Sequence, residues 1–351
     1  MTPKRVLIAP LDWGLGHATR CIPIIQSLLE KKCEVLVASS GSALALLRKE
    51  FPVLKFFELP PYGIRYPKHG SFMLSIFLQL PKIQRSIRQE HKKINKIVQL
   101  HQVDLIISDN RYGCWVKGVS SIFIGHQLNI QLQGPWRVLK PLVDLFHLRK
   151  LKPFNQLWVP DDPRLMLSGD LSKQKRLSVN YVGILSRFSK KSLPVKYDVG
   201  IILSGPEPQR SVFEEIIFKQ LPGNLSIIVV RGVIEGEGNW KQNGNLTTVN
   251  FLQSLKLEEI ICQSKIIIAR SGYSTIMDLA RLEKQAILIP TPGQTEQEYL
   301  AQHLKNRGVC CTVDQYNFEL DASLKKSGGF TGFSNIATND LLSRAIDEIL
   351  K

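Results

Sequence analysis

Short aliphatic runs of four to six residues alternate with stretches of helical periodicity along almost the whole chain. In the first half the runs are Arg5–Pro10, Glu34–Ser39, Asp104–Ser108, Ser121–Ile124 and Gln156–Val159, which reads as the final strand of that half. They are rich in Val, Ile and Leu with little polar alternation, which predicts strands buried on both faces, as in a parallel sheet. Helical spacing fills about Thr19–Glu30 and Ser42–Lys49. The alternation restarts at Asp198–Leu203 and continues through Ser226–Val230, Thr247–Asn250, Lys265–Ala269 and Ala286–Ile289, with helices at Ser274–Arg281 and Glu296–Lys305. Two successive β-α series predict an α/β protein with two doubly wound Rossmann-like domains facing a cleft. The expected boundaries are 1–185 for the first domain, 186–197 for a basic, strandless linker and 198–336 for the second domain. Residues 337–351 then read as a terminal helix packing back toward the first domain, with Asn339 as its candidate N-cap.

Composition narrows this picture. A chain of 351 residues suits two cores better than one. Its 44% hydrophobic and 22% charged residues are globular values. The six cysteines form no C-x-x-C pair, and neither H-E-x-x-H nor a complete P-loop occurs, so disulfide scaffolds, the usual zinc spacings and P-loop chemistry are not expected. Free thiols suit a reducing cytosol. The apolar run Val6–Leu11 stops at Asp12, so no signal peptide is expected, and no uncharged run reaches the roughly 20 residues of a spanning helix. Charge is unevenly spread. Residues 1–160 hold 23 Lys+Arg against 9 Asp+Glu, whereas residues 161–351 hold 23 against 21. The first half should therefore meet a polyanion, either nucleic acid or an anionic membrane.

Candidate chemistry gathers where strands end. After the first strand comes Asp12-Trp-Gly14-Leu-Gly16-His17-Ala-Thr-Arg20. Two glycines let the backbone turn tightly beside a ligand before a helix start, and a histidine at a sheet mouth can take up a proton near neutral pH. The glycines alone are equally open to a dinucleotide site, and if the turn stood alone a structural βα turn would be the better reading. Asp109, closing Asp104–Asp109, is the candidate partner that would hold the imidazole in one tautomer, and it could equally be an N-cap. His126 and Asn129 follow another strand at the same edge. In the second half, Arg270-Ser271-Gly272-Tyr-Ser274-Thr275-Ile-Met-Asp278 makes a turn into a helix whose amides would favour a phosphate. Ser204-Gly205 and the loop from Thr291 to Gln297-Glu298 are further small, polar turns. Three such loops on one edge predict a phosphate-sugar-base site.

The order of these segments, from Gly14 to the terminal helix, resembles a GT-B glycosyltransferase. It is most similar to family 28, known for adding N-acetylglucosamine to a lipid-linked cell-envelope precursor. The resemblance is strongest over Arg270-Ser-Gly-x-x-Thr-x-x-Asp278, Pro290 and Gln297-Glu298, and looser in the first half. It implies that Asp278 stands for the Glu that binds the ribose, and that Gln297 and Glu298 stand for a Gln pair on the donor sugar. Phe251 and Leu252 would flank uracil, and Arg187 would lie near the donor. Ser204 and Gly205 would begin the phosphate loop, although Pro206-Glu207-Pro208 departs from its pattern. Gly14, Gly16, His126 and Asn129 would lie at the acceptor, with His17 as base. The implied reaction is inverting transfer from a UDP-sugar, a co-substrate, with no cofactor. No D-x-D occurs, so no metal is expected; the leaving diphosphate would be stabilised by the helix start near Ser274 and by Arg187 or Arg270.

Basic and large apolar residues alternate in Phe72–Leu100 and Trp136–Lys152, including Lys82, Arg85, Arg88, Lys92, Lys93 and Lys96. Each stretch is as readily an amphipathic core helix as a membrane-surface helix; together they favour an anionic membrane and a lipid-linked or glycolipid acceptor. Without a recognition motif, nucleic acid is not expected. The expected place is the cytoplasm, peripheral to the inner face of the cytoplasmic membrane. Two other readings share this architecture: a nucleotide-sugar 2-epimerase, and a non-catalytic nucleotide-sugar-binding or membrane-recruiting subunit.

Overall fold

A computed structural model describes residues 3–64, 72–130, 132, 134–174, 176–233, 238–334 and 340–351. The chain divides into two units, Met1–Leu185 with Asn339–Lys351, and Ser186–Thr338. The first unit contains β1 (Arg5–Pro10), α1 (Gly16–Glu30), β2 (Glu34–Ser39), α2 (Gly41–Glu50), β3 (Lys55–Glu58) and α3 (Phe72–His101). It continues with β4 (Leu105–Asp109), β5 (Ser120–Ile124), α4 (Lys140–Leu151), β6 (Gln156–Val159) and β7 (Asn180–Tyr181). All seven strands are parallel, in the order β3-β2-β1-β4-β5-β6-β7. The strand order reverses between β1 and β4, and it is outside such a switch point that open α/β sheets hold ligands. One sheet face packs Val6, Ile8 and Ile107 against Ile22 and Ile25 of α1; the other packs Leu7 and Ile106 against Ile94 and Val98 of α3.

The second unit contains β8 (Tyr197–Ile202), α5 (Gln209–Phe218), β9 (Ile227–Val230), β10 (Trp240–Asn243), β11 (Leu246–Val249), α6 (Ser254–Gln263) and β12 (Ser264–Ala269). After these come α7 (Tyr273–Arg281), β13 (Gln285–Leu288), α8 (Thr295–Asn306), β14 (Cys311–Thr312) and α9 (Leu320–Ser327). The order β10-β11-β9-β8-β12-β13-β14 is parallel except for the β10–β11 hairpin. Its switch point lies between β8 and β12, which places the turns after Ile202 and Ala269 side by side.

Several expectations shift. The first helix starts at Gly16, not near Thr19, so His17 lies in its opening turn. Gln156–Val159 is not the last strand of its unit, since β7 pairs beyond it. The stretch expected as a linker is bound along the second unit: Ser189 N–H donates to Glu258 (2.8 Å), and Lys190 and Lys191 pair with Glu283 and Glu258. The terminal helix, α10 (Leu341–Leu350), packs Leu342, Ala345, Ile346 and Ile349 into the α1 side of the first sheet. Its expected beginning, Ala337 to Asn339, lies outside the described residues, as do the side chains of Phe72, Met73, Leu74 and Ile76. Among the described residues no helix is long and apolar enough to cross a membrane.

Candidate active site

At the switch point of the first sheet, β4 ends on Asp109, whose side chain is completely buried. Asn110 then takes a left-handed turn (φ 59°), a conformation Asn tolerates better than most residues. The turn lets adjacent side chains diverge. Asp109 meets α1, while Arg111 reaches Glu90 of α3 (2.6 Å), Ser40 (2.7 Å) and the Pro10 carbonyl (2.8 Å). On the other side of β1, Gly14 adopts φ +81° and turns the chain into α1. Gly16 opens that helix, and its carbonyl accepts from the Thr19 hydroxyl (3.0 Å).

His17 and Arg20 are three residues apart on α1 and share a face. Arg20 is 2% exposed, and its Nε donates to Asp109 Oδ2 (2.5 Å) while Nη2 bonds Oδ1. His17 Nδ1 lies 2.9 Å from Asp109 Oδ1 and 2.9 Å from Arg20 Nη2. Nδ1 therefore faces both an acceptor and a donor: in the tautomer that donates Nδ1–H to Asp109 the Nε2 lone pair is left free, and in the other Nδ1 accepts from Arg20 and Nε2 carries the proton. Arg20 Nη1 also donates to Nδ1 of buried His126 (3.0 Å). A guanidinium has no acceptor, so His126 Nδ1 carries no proton and its Nε2–H is a donor. Burial would raise the Asp109 pKa, but Arg20 and then His17 outweigh it and hold the carboxyl well below the usual range. Burial pushes the His17 imidazole below its ordinary value; Asp109 opposes this and Arg20 adds to it.

Arg20 thus joins both candidate histidines to the candidate carboxylate, a role sequence reasoning did not assign. Its spacing from His17 put the two on one helix face but gave no sign of the carboxylate beneath. Asn129 stands apart from this cluster: it accepts from Lys140 (2.9 Å) and donates to the Asp170 carbonyl (3.0 Å).

In the second unit the turns after β8, β12 and β13 supply the expected residues. Gly205 needs φ +106°, which only glycine adopts readily, and Ser204 and Gly205 are both exposed. Gly272 is the N-cap of α7, with no side-chain cap; Ser274 and Thr275 lie half-buried in its first turn. Such a start carries unsatisfied amides and a partial positive charge. Asp278, one turn on, accepts from the Ser186 hydroxyl at 2.5 Å. Burial pushes its carboxyl up to about 6, with Arg187 and the Ser186 bond pulling the other way. Arg187 donates to Ser254 (2.8 Å) and stacks on Phe188. Phe251 is half-buried, and Leu252 packs with Val249 and Ile260.

Other expected residues are engaged within the unit. Arg270 is 2% exposed; it donates to the carbonyls of Gln209 (2.9 Å), Pro290 (3.3 Å) and Ile289 (3.4 Å) and to the Gln315 amide (2.7 Å). Burial lowers its pKa to about 10, still cationic at neutral pH. It ties three loops of this edge together. Ser271 donates to the Gln297 carbonyl (2.8 Å). Gln297 and Glu298 accept from the amides of Thr291 and Gly293, both at 2.9 Å, and so shape the loop that carries them. Thr291 was not singled out by sequence. Its buried hydroxyl has no hydrogen-bond partner among the described residues, and it lies 3.7 Å from where a Cβ on Gly205 would stand.

Comparison with known proteins bears on the fold and on the second unit. Residues 223–328 match the glycosyltransferase family 28 C-terminal domain. An uncharacterized glycosyltransferase of Methanosarcina mazei is 22% identical, over 87% of this chain and 84% of its own. One of Methanopyrus kandleri is also 22% identical, over 86% and 87%. Among solved structures, Acinetobacter baumannii MurG superposes with a TM-score of 0.62 at 15% identity, covering 99% of each chain. The glycosyltransferase VinC in complex with dTDP gives 0.67 at 12% identity, covering 99% of this chain and 98% of its own. The matched domain holds β12, the α7 turn and Asp278, the loop shaped by Gln297 and Glu298, and the hairpin edge of the sheet. The chain is a glycosyltransferase of GT-B architecture whose second unit carries the family 28 C-terminal domain.

Proposed function

We propose that the chain transfers a hexose, such as N-acetylglucosamine, from a UDP-sugar to a lipid-linked or membrane-associated acceptor. It does so by a single metal-independent displacement with inversion, peripherally bound at the inner face of the cytoplasmic membrane. The observation that carries this reading is the buried Asp109–His17 pair, with His17 opening α1 at the switch point. Asp109 orients Nδ1–H, and Nε2 takes the proton of the acceptor hydroxyl as its oxygen attacks the anomeric carbon. His126 Nε2–H donates to the acceptor. On the second unit the uncapped start of α7 and Arg187 take up charge on the departing diphosphate, while Asp278 accepts from the ribose. A buried hydroxyl without a partner costs about 1–3 kcal/mol, and a phosphoryl oxygen would satisfy the one on Thr291.

The membrane part of the reading rests on α3 and α4. At 100° per residue, Lys82, Arg85, Arg88, Lys92, Lys93 and Lys96 fall within an arc of about 140°. All six are exposed, opposite the buried Ile87, Ile94 and Val98. Phe77 at the start of α3 stacks on Trp136 (5.4 Å), and partial burial, then the charge of Arg88, lower the pKa of Lys150 on α4. Leu78, Val138, Leu142 and Phe146 are 75%, 82%, 65% and 48% exposed. Apolar side chains beside a cationic stripe suit an anionic bilayer surface.

The test is a nucleotide-release screen of UDP- and dTDP-sugars, with and without a total lipid extract and with EDTA present. Lipid-dependent UDP release in EDTA is the expected result. Epimerised sugar without acceptor would replace transfer by epimerisation, and UDP binding without release would make the chain a binding subunit. Release from dTDP-sugars alone would move the donor to thymidine nucleotides, dTDP being the ligand in the VinC structure.

A further inference from the structure

The second unit contains a cavity of about 370 Å³ that involves none of the donor-edge turns. It spans the hairpin of β10 and β11 and the amino ends of the neighbouring strands. Tyr197, at the start of β8, and Ser226, just before β9, lie on its wall. The Ser204–Gly205, α7 and Thr291 turns all follow the carboxyl ends of their strands. At about 3.3 Å per residue, the six residues of β8 alone separate the two edges by about 20 Å. A ligand here is not the donor.

The lining is chemically specific. β10 is the sheet's edge strand, and all four of its residues, Trp-Lys-Gln-Asn, are exposed. Trp240 keeps 47% of its surface exposed, although an indole is among the side chains with most to gain from burial. Trp240 and Gln242 share one face of the strand. Gln242 pairs with Thr247 of β11, so amide and hydroxyl stand beside the indole. Asn245 adds a second amide at the turn, its Nδ2 held by the Gly223 carbonyl (2.9 Å) so that its oxygen is oriented. Lys196 and Lys241 also line the cavity, Lys241 from the face of the edge strand opposite Trp240; no acidic residue lines it, and neither lysine has a carboxylate partner among the described residues.

An aromatic face stacks on the C–H groups of a pyranose, planar amides and hydroxyls bond its hydroxyl groups, and ammonium groups bond an anionic substituent. A nucleobase would also stack, but the carboxylate-free, twice-cationic, amide-rich wall fits a sugar acid better. The volume lies within the range of small-ligand sites and matches one or two sugar rings. We infer that this cavity is a second saccharide site, separate from the donor edge, that binds an acidic sugar through Trp240, the Gln242 and Asn245 amides, and Lys196 with Lys241. The inference stands on the cavity alone and does not depend on the transfer reaction proposed above.

The experiment follows the five indole N–H signals by NMR, with Trp240 assigned from Trp240→Phe, while glucuronate, glucose and inorganic phosphate are added separately. Calorimetry with UDP runs in parallel on every variant to report the donor edge. Glucuronate should shift the Trp240 signal saturably, with a half-saturation about tenfold below that of glucose, and phosphate should leave it in place. Trp240→Ala should abolish the calorimetric glucuronate signal. Lys196→Gln with Lys241→Gln should make glucuronate no better than glucose. UDP binding should be unchanged in both. No saturable shift with either sugar, or glucuronate binding retained in Trp240→Ala, overturns the site. An equal shift with phosphate reduces it to an anion site and overturns the saccharide. Equal affinity for glucose and glucuronate in the unaltered protein overturns the role of the lysines. Loss of UDP binding alone speaks against the donor reading and leaves this inference standing.

Discussion

Replacing Arg20 by Met should turn His17 from a weakly basic imidazole into a strongly basic one. In the native protein His17 faces a carboxylate whose charge is offset by a guanidinium bonded to the same two oxygens. Removing Arg20 leaves buried Asp109 as an uncompensated anion, with Oδ1 2.9 Å from His17 Nδ1. Two unit charges with centres about 4 Å apart interact by about 4 kcal/mol at an effective dielectric constant of 20. At 1.36 kcal/mol per pKa unit that is a ceiling of roughly 3 units, so a rise of roughly 1–3 units is expected once water enters the vacated space. The native imidazole lies below its ordinary value and the variant should lie above it. His126, which faces the same cluster, loses its bond from Arg20 Nη1 in this variant, so Arg20→Met paired with His126→Gln separates its share from that of Asp109. The assay is the pH titration of the His17 ring signal in ¹³C-histidine-labelled protein, assigned by loss in His17→Gln. Arg20→Lys retains the charge and should retain the low value. A folded Arg20→Met protein whose His17 titrates as in the native chain would refute the electrostatic argument. The same geometry sets a stability window. A depressed carboxylate stabilises the fold above its unfolded pKa of about 3.9 and loses that contribution as pH falls through its folded value. Arg20→Met raises the folded value of Asp109, so acid unfolding should begin at higher pH. Breaking the buried pair should also cost about 3–5 kcal/mol at neutral pH by denaturant titration.

Three further outcomes are expected. His17→Ala should lower turnover by about 10²–10⁴-fold and leave UDP affinity nearly unchanged in calorimetry; an equal loss of both would remove the base assignment. Asp278→Ala should weaken UDP by roughly 1–3 kcal/mol. Because Asp278 is raised to about 6 and must be ionised to accept from both ribose hydroxyls, native UDP affinity should increase from pH 5 to 7, and Asp278→Asn should flatten that rise. The protein should sediment with phosphatidylglycerol vesicles at low salt and be released at high salt, and Lys92→Gln with Lys93→Gln and Lys96→Gln should weaken sedimentation without touching UDP binding. Failure to sediment with anionic or neutral vesicles would reopen a soluble acceptor.

The strands that sequence made legible are those buried on both faces, such as Arg5–Pro10 and Ser264–Ala269, because burial on both faces demands an unbroken aliphatic run. Those it hid are edges. Lys55–Glu58 is partly exposed, Trp240–Asn243 fully so, and β7 and β14 are two residues long; such segments carry little apolar periodicity to read. The pairing of His17 with Asp109 could be anticipated because both stand where strands end. Arg20 could not be weighed the same way, since an arginine on a helix reads as solvated until a buried carboxylate is seen beneath it. Arg270 shows the converse. Its place beside a phosphate-type turn suggested a ligand contact, while the carbonyls of Gln209, Ile289 and Pro290, distant in sequence, take up its guanidinium.

The return of α10 to the first unit has a consequence for biosynthesis. Domains generally fold as they emerge, the N-terminal one first, at about 5–20 residues per second. Here Ile346 and its neighbours complete a core whose other members run from Val6 to Leu185. The first unit must therefore remain unfinished while the second is translated, a wait of about 10–30 s at that rate. Throughout it, the groove that receives Leu342, Ala345 and Ile349 is open to chaperones and to neighbouring nascent chains.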